Sequence, residues 1–296
     1  MKNQYISCEV YEMKKLTKIK LFIEFSVFFI VVAIFCFWQN NNIVISNYTH
    51  HSRKIPPAFH GYKILHISDL HNKMFGKNQD YLIKKIKASS PDIIVITGDL
   101  IDRRRFDLDT AVCFINKAVD IAPIYYVSGN HEAWSGKYDQ IKQSLKDAGV
   151  LILDDTSLEL LKGENSIQLL GLSDPDFLTS NYLDGTNTKK LELQLKQWSN
   201  DINYKILLSH RPELFSLYIE NNIDLIFSGH AHGGQIRLPF LGGLIAPDQG
   251  FFPKYTSGPY KNGNTTMFVS RGLGNSIFPF RVFNRPEIVV VTLKSE

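Results

Sequence analysis

Five short blocks of the sequence carry side chains that bind cations and move protons. Asp69-Leu70-His71 sets a carboxylate and an imidazole two residues apart, so both reach the same side of an extended segment. Gly98-Asp99-Leu100-Ile101-Asp102 puts a carboxylate directly behind a glycine, where the backbone can approach a neighbour closely. Gly129-Asn130-His131-Glu132 offers an amide oxygen and an imidazole, and His210 adds another imidazole. Gly229-His230-Ala231-His232-Gly233-Gly234-Gln235 adds two more at alternating positions. Neutral imidazole and carboxylate suit Mn²⁺, Fe or Zn²⁺, with Mn²⁺ favoured, and the lack of thiolates argues against a structural zinc site. Six or seven such donors are too many for one ion and suit two. Ions about 3.5–4 Å apart need a bridging carboxylate, for which Asp99 is the natural candidate. Such a pair supplies hydroxide at neutral pH and stabilises charge developing on phosphoryl oxygens. His131 lies beside a donor without being needed as one, so it is the candidate general acid. Asp102 is expected to orient it and keep it protonated.

These blocks need a scaffold that brings them to one place. Each follows a short, β-branched apolar run: Tyr62–Ser68, Asp92–Thr97, Ile124–Ser128, Lys205–Ser209 and Asp224–Ser228. Helical patterns lie between them at Asn78–Ala88, Leu108–Val119, Tyr138–Ala148 and, behind Pro212, at Glu213–Asn221. Leu158–Leu172 reads as a hairpin turning at Gly163, Glu164 and Asn165, and further strands are expected at Thr266–Ser270 and Glu287–Leu293. The alternation predicts an α/β fold with helix-covered sheets. Ligands in such folds bind outside the carboxyl ends of strands, which is where the five blocks fall. The remaining histidines make a contrast: His66 lies inside a strand and is expected to be packed and hydrogen-bonded, whereas His50, His51 and His60 are expected to be solvated.

The ordered series Asp69-x-His71, Gly98-Asp99-x-x-Asp102, Gly129-Asn130-His131-Glu132, His210 and Gly229-His230-x-His232 resembles the calcineurin-like metallophosphoesterases over roughly residues 61–294. The GHAHGGQ form, with Ser270-Arg271-Gly272-Leu273-Gly274 downstream, looks like the membrane-associated bacterial YkuE-like branch. That branch is similar to lipid-linked UDP-diacylglucosamine pyrophosphate hydrolases. The resemblance implies a four-layer α/β/β/α sandwich with two facing sheets. It implies that Asp69, His71 and His232 hold one metal, that Asn130, His210 and His230 hold the other, and that Asp99 bridges. His131 would protonate the leaving group with Asp102 in support.

The expected activity is metal-dependent hydrolysis of a phosphodiester or pyrophosphate, on a cell-envelope or lipid-linked substrate. The alternatives are an anchored enzyme acting on small soluble diesters or nucleotides, and a non-catalytic metal-binding scaffold. Arg211, next to a donor, and Arg271 are candidate phosphate contacts, with Arg281 and Arg285 weaker ones. Arg103, Arg104 and Arg105 read as a solvated helix entry. Phe240, Phe251, Phe252, Phe278, Phe280 and Phe283 make the C-terminal third aromatic enough to line an acyl or membrane-facing groove, or else to anchor loops.

The composition frames this reading. The chain has 296 residues, 44% hydrophobic and 21% charged, with 19 Gly and 12 Pro, which excludes disorder and collagen-like repeats. A net charge of +4 gives no reason to expect nucleic acid, and no obligate protein partner is evident. Three cysteines, Cys8, Cys36 and Cys113, cannot form a disulfide framework.

Hydrophobicity is concentrated at Leu21–Trp38, where only Glu24, Ser26 and Cys36 interrupt the apolar run. As a helix it spans about 27 Å, close to a hydrocarbon core of about 30 Å. No small-x-small site follows it, against a cleaved leader, and it has no polar face, against a core helix. Lys14, Lys15, Lys18 and Lys20 precede it, so the positive-inside rule predicts a cytoplasmic N-terminus and an extracytoplasmic catalytic domain. The expected organisation is therefore a short cytoplasmic tail over 1–20, a transmembrane anchor over 21–38, a linker over 39–60 and the phosphoesterase domain over 61–296. The linker holds an Asn47-Tyr48-Thr49 glycosylation pattern.

Overall fold

The computed structural model describes residues 2–178, 187–276 and 278–296, with side chains from residue 14 onward. Of the expected tail, Met1 lies outside the described residues and residues 2–13 are described by their backbone alone. The elements follow in the order α1 (Lys2–Asn41), β1 (Val44–Ser52), β2 (Lys63–Ile67), α2 (Asp80–Ser89), β3 (Ile93–Thr97), α3 (Leu108–Ala118) and β4 (Ile124–Val127). Then come α4 (Asn130–Trp134), α5 (Tyr138–Asp147), β5 (Leu151–Ile152), β6 (Thr156–Lys162), β7 (Asn165–Gly171) and α6 (Lys189–Trp198). β8 (Lys205–Leu208), α7 (Phe215–Glu220) and β9 (Leu225–Ser228) follow. Two small ribbons are formed by β10 (Arg237–Leu238) with β11 (Gly242–Gly243), and by β12 (Ile245–Ala246) with β13 (Gly250–Phe251). β14 (Gly258–Asn262), β15 (Thr265–Val269) and β16 (Glu287–Ser295) complete the chain.

Two six-stranded sheets result, ordered β1-β16-β2-β3-β4-β5 and β14-β15-β9-β8-β7-β6. Within them β2 to β5 are parallel, as are β15, β9, β8 and β7. Alternation along each strand divides the apolar side chains between two faces. Leu65, Ile94, Ile96 and Tyr126 pack against Leu82 and Ile86 of α2, Phe114 of α3 and Leu145 of α5. Their neighbours Ile64, Val95 and Tyr125 point the other way and meet Leu169, Ile206 and Phe227 of the second sheet. Leu170, Leu207 and Ile226 cover that sheet's outer face beneath Leu191 and Leu195 of α6 and Phe215 of α7. Three apolar seams between four layers make the α/β/β/α sandwich. His66 sits between the sheets, fully buried, with Nε2 2.7 Å from Thr97 Oγ1.

The N-terminal region departs from expectation. The linker expected over 39–60 is largely ordered structure: Val44–Ser52 runs as β1, parallel to Glu287–Ser295 of β16. Ile55 and Phe59 behind it are buried in the seam between the sheets. The reason is tertiary: the partner strand lies at the far end of the chain, and an edge strand with little apolar alternation leaves no local signal. His50 is carried inward with this strand and is 7% exposed, not solvated. Burial, then the charges of Lys261 and His51, push its imidazole down to about 4. The unfolded chain therefore binds a proton near pH 6.5 that the folded chain refuses until about pH 4, so acid destabilises the fold across that window. His50→Gln is expected to remove roughly 3 kcal/mol of this acid-dependent loss between pH 6.5 and 4, with little change at pH 8. Urea denaturation of both proteins across that range measures it.

The same pairing fixes where α1 joins the domain. The start of β16 lies beside the end of the antiparallel β2, so β1 begins at the carboxyl end of the parallel strands. Lys14–Asn41 of α1 is long and apolar enough to cross a membrane. Its last turns rest on the domain at that end: Phe35 packs on Phe283 at 5.5 Å, and the Arg285 guanidinium lies 4.7 Å over the Trp38 ring. Lys73 Nζ donates to the Asn40 carbonyl at 2.6 Å, and Asn275 Nδ2 donates to Asn40 Oδ1 at 2.8 Å.

Candidate metal centre

The strand ends carry the donors in backbone that most residues avoid. Asp69, His71, Asp99, His230 and His232 have φ of 53°, 46°, 54°, 64° and 46°. Such left-handed conformations are uncommon outside glycine and cluster at functional sites. Two glycines make the crowding possible. A Cβ on Gly98, itself at φ 83°, would lie 2.4 Å from the Gly129 nitrogen, and one on Gly229 would lie 1.9 Å from Ser68 Oγ.

Two donor groups converge. In the first, His71 Nε2 stands 3.1 Å from His232 Nε2 and 3.4 Å from Asp99 Oδ2, while His232 Nε2 is 3.3 Å from Asp69 Oδ1. In the second, His210 Nε2 is 3.0 Å from Asn130 Oδ1, 3.2 Å from His230 Nδ1 and 3.4 Å from Asp99 Oδ2. Asp99 Oδ2 therefore lies equally close to an imidazole of each group. All seven residues are buried.

The charge balance of this cluster calls for cations. Burial alone would raise Asp69 and Asp99, but the surrounding histidines outweigh it and hold both carboxyls well below the usual range. Burial pushes His232 down to about 3, so it stays neutral. His210 would also be lowered by burial, yet Asp99 lifts it to about 10, the behaviour of a site short of positive charge. His210 Nδ1–H donates to the Thr97 carbonyl at 2.6 Å, which fixes the tautomer and leaves Nε2 facing inward. Neither Nδ1 of His71 nor of His232 has a hydrogen-bond partner among the described residues. Two facing Nε2 atoms and two buried carboxylates thus form a donor set that divalent ions fit.

His131 is placed differently from the donors. Its backbone N–H donates to Asp99 Oδ1 at 2.8 Å, and its ring stands edge-on to His71, centroids 4.4 Å apart. Asp102 supports His131 by charge and not by a hydrogen bond: Asp102 Oδ1 is 3.9 Å from His131 Nδ1, which accepts the Arg103 backbone N–H at 3.2 Å. Asp102 is occupied by the Arg104 backbone and guanidinium and by Arg105, so it shapes the turn that presents Arg103. Burial lowers His131 to about 4, only partly offset by Asp99 and Asp102. With Nδ1 accepting, the neutral ring carries its proton on Nε2, toward Ser276 Oγ at 3.4 Å.

Both candidate phosphate contacts have other partners. Arg211 is 1% exposed and pairs with Asp174, Asp176 and Asp248, leaving no donor facing a substrate. Arg271 is bonded to Glu287 through its backbone N–H and Nη2, both at 3.0 Å. Arg103 and Arg104 are exposed ahead of α3, as expected of a solvated helix entry, and they also line a cavity of about 300 Å³ together with Asp99, Asn130, His131 and Trp134. Arg103 stacks over Trp134 at 4.3 Å.

Two carboxylates were also missed. Asp248, held by Arg211, accepts from His230 Nε2 at 2.8 Å and so turns Nδ1 toward the cluster. No sequence signal marks it. Glu132 is signalled by its place three residues after Gly129, a capping-box spacing. Its carboxylate accepts from the Asp99 and Gly129 backbone N–H groups at 2.7 and 2.8 Å and from Ile101 at 3.3 Å, tying two donor loops together. Burial, then the Asp99 charge, push it up to about 7. Glu132→Ala would leave these buried donors unpaired at about 1–3 kcal/mol each. We expect a loss of about 3 kcal/mol or more in urea denaturation, with a parallel fall in metal content.

The comparisons agree with this geometry. Residues 62–234 match the family model for the calcineurin-like phosphoesterases. An uncharacterized metallophosphoesterase YkuE of Bacillus subtilis is 34% identical over 86% of this chain and 86% of its own. Phosphodiesterase YaeI of Escherichia coli is 26% identical over 78% of this chain and 82% of its own. The solved sulfate thiohydrolase SoxB of Thermus thermophilus aligns with a TM-score of 0.50 at 14% identity, over 81% of this chain and 58% of that one, a likeness of fold. A family match over more than half of the chain, together with donors gathered at the strand ends, makes this protein a metal-dependent phosphoester hydrolase of the calcineurin-like phosphoesterase family.

Proposed function

We propose that the chain is a membrane-anchored, dimetal phosphodiesterase or pyrophosphate hydrolase whose substrate is lipid-linked. Asp69, His71 and His232 would hold one ion and Asn130, His210 and His230 the other, with Asp99 shared; Mn²⁺ is the favoured metal. When bound, the ions supply a nucleophile from water at neutral pH and stabilise charge on the phosphoryl oxygens. His131 Nε2–H donates to the leaving oxygen. An anionic phosphoester arriving within hydrogen-bond reach of this ring favours its protonated form, offsetting the burial that lowers it. Asp102 favours the protonated ring by its charge and shapes the Arg103 turn against His131 Nδ1. Arg103 and Arg104 border the cavity and add positive charge where a phosphate would enter.

One observation carries the lipid-linked reading. A cavity of about 740 Å³ opens beside His71 and is lined by Lys73 and Asn275. Both of those residues are bonded to Asn40 at the end of α1. The space next to the donors thus reaches the point where the chain leaves its apolar helix. The lysines before Leu21 favour an extracytoplasmic domain. The test compares a lipid-linked pyrophosphate with its water-soluble headgroup analogue, using full-length protein in vesicles. A kcat/KM at least about tenfold higher for the lipid form, worth about 1.4 kcal/mol, is expected. Equal values would favour small soluble diesters.

A further inference from the structure

Between Ile236 and Phe283 the chain turns large apolar side chains toward solvent. Phe240, at the tip of the β10–β11 ribbon, is fully exposed, with Leu241 beside it at 67%; Phe252 is 64% exposed and Phe283 55%. Phe240, Phe252 and Phe283 also have φ of 68°, 52° and 51°. A bulky residue rarely adopts that conformation, and here it directs apolar rings away from the core. Packing within the domain does not account for this, because these side chains lie outside all three apolar seams.

The exposed strip continues directly from α1. Phe283 packs on Phe35 in the last turns of the helix. Its neighbour Val282 accepts the Arg237 backbone N–H at 3.0 Å, and Arg237–Leu238 leads into the Phe240 tip. Leu244 donates to the Ile236 carbonyl and accepts from the Phe252 N–H, both at 2.9 Å, so the second ribbon is laced to the first. Asn275 and Pro279, in the loop that precedes Phe283, line the cavity beside His71.

We infer that the Phe240 ribbon tip, with Phe252 and Phe283, is a second membrane contact, seated in the interfacial zone of the bilayer that α1 crosses. Aromatic and leucine side chains are suited to that zone. The contact would hold the cavity mouth at headgroup level, and with only α1 as a tether the domain could pivot away from it. This inference rests on the reading of α1 as a membrane anchor, and its test separates the two.

Full-length protein is reconstituted in vesicles of phosphatidylcholine with brominated acyl chains, which quench nearby tryptophan. Three signals are compared: the tryptophan added by Phe240→Trp, the one added by Leu161→Trp, and Trp38, obtained by difference from Trp38→Phe. Leu161 is 75% exposed near the amino-terminal end of the second sheet's parallel strands, away from the donors. The Phe240→Trp signal is expected to be quenched as strongly as that of Trp38, with Leu161→Trp unquenched. A Phe240→Trp signal as unquenched as Leu161→Trp, beside a quenched Trp38, overturns the second contact while leaving the anchor. An unquenched Trp38 overturns both. Unchanged hydrolysis of a soluble aryl phosphodiester by Phe240→Trp verifies an intact fold.

Discussion

Replacing Asp99 with alanine is expected to lower phosphoester hydrolysis by more than about 100-fold, beyond the 10- to 100-fold that loss of an outer-shell partner of a metal site typically costs. The reason is its position. Asp99 Oδ2 lies 3.4 Å from both His71 Nε2 and His210 Nε2, so it is shared by the two donor groups. Its other oxygen accepts the His131 backbone N–H at 2.8 Å, so alanine also loosens the loop carrying the proton donor. Asp99→Asn separates these contributions. It retains an acceptor for His131 N–H but removes the negative charge that a shared ligand needs. If sharing ions is the main role, Asn is as inactive as Ala; if holding the loop is the main role, Asn recovers most of the activity. Steady-state hydrolysis of an aryl phosphodiester at saturating Mn²⁺ distinguishes them.

His131→Ala is expected to cost about 10²–10⁴-fold, the usual range for a general acid, but only where the leaving group needs a proton. An alkyl phosphodiester, whose leaving alkoxide is strongly basic, should show the full loss. A nitrophenyl ester, whose phenolate leaves unaided, should lose far less. The structure supports this division because the Nδ1 side is closed by the Arg103 N–H, leaving Nε2 as the nitrogen that faces the cavity. Equal losses on both esters would assign His131 to binding or to loop structure. A plot of rate against leaving-group pKa for wild type and variant reads the difference as a change of slope.

How much of this was legible beforehand depended on distance along the chain. The central strands were readable because a buried parallel strand is a continuous β-branched run, as in Ile93–Thr97. The donors were readable because each follows such a run directly. β1 was not, because its single partner is β16, at the other end of the chain, and its sequence VISNYTHHS lacks the apolar run of a central strand. His50 was misplaced with it. Within the site, Arg211 was misread because its neighbours Asp174, Asp176 and Asp248 are scattered through the sequence and meet only in the fold. Asp102 was expected to orient His131 and keep it protonated; it lies 3.9 Å from the ring, but that Arg104 and Arg105 share the same carboxylate was not legible. Arg103 and Arg104 reach the cavity through a turn that no periodicity describes. Sequence thus located the side chains tied to strand ends, and the fold alone disclosed the supports that reach them from elsewhere.

The central claim is that two ions occupy the donors around Asp99 and that hydrolysis depends on them. Metal content per chain, measured by elemental analysis of purified full-length protein beside its hydrolysis of an aryl phosphodiester, tests it most directly. Wild type is predicted to carry two ions, to lose them together with activity on chelation and to recover both with Mn²⁺, while Asp99→Asn carries fewer than two. Undiminished hydrolysis by a chain stripped of metal would contradict the account.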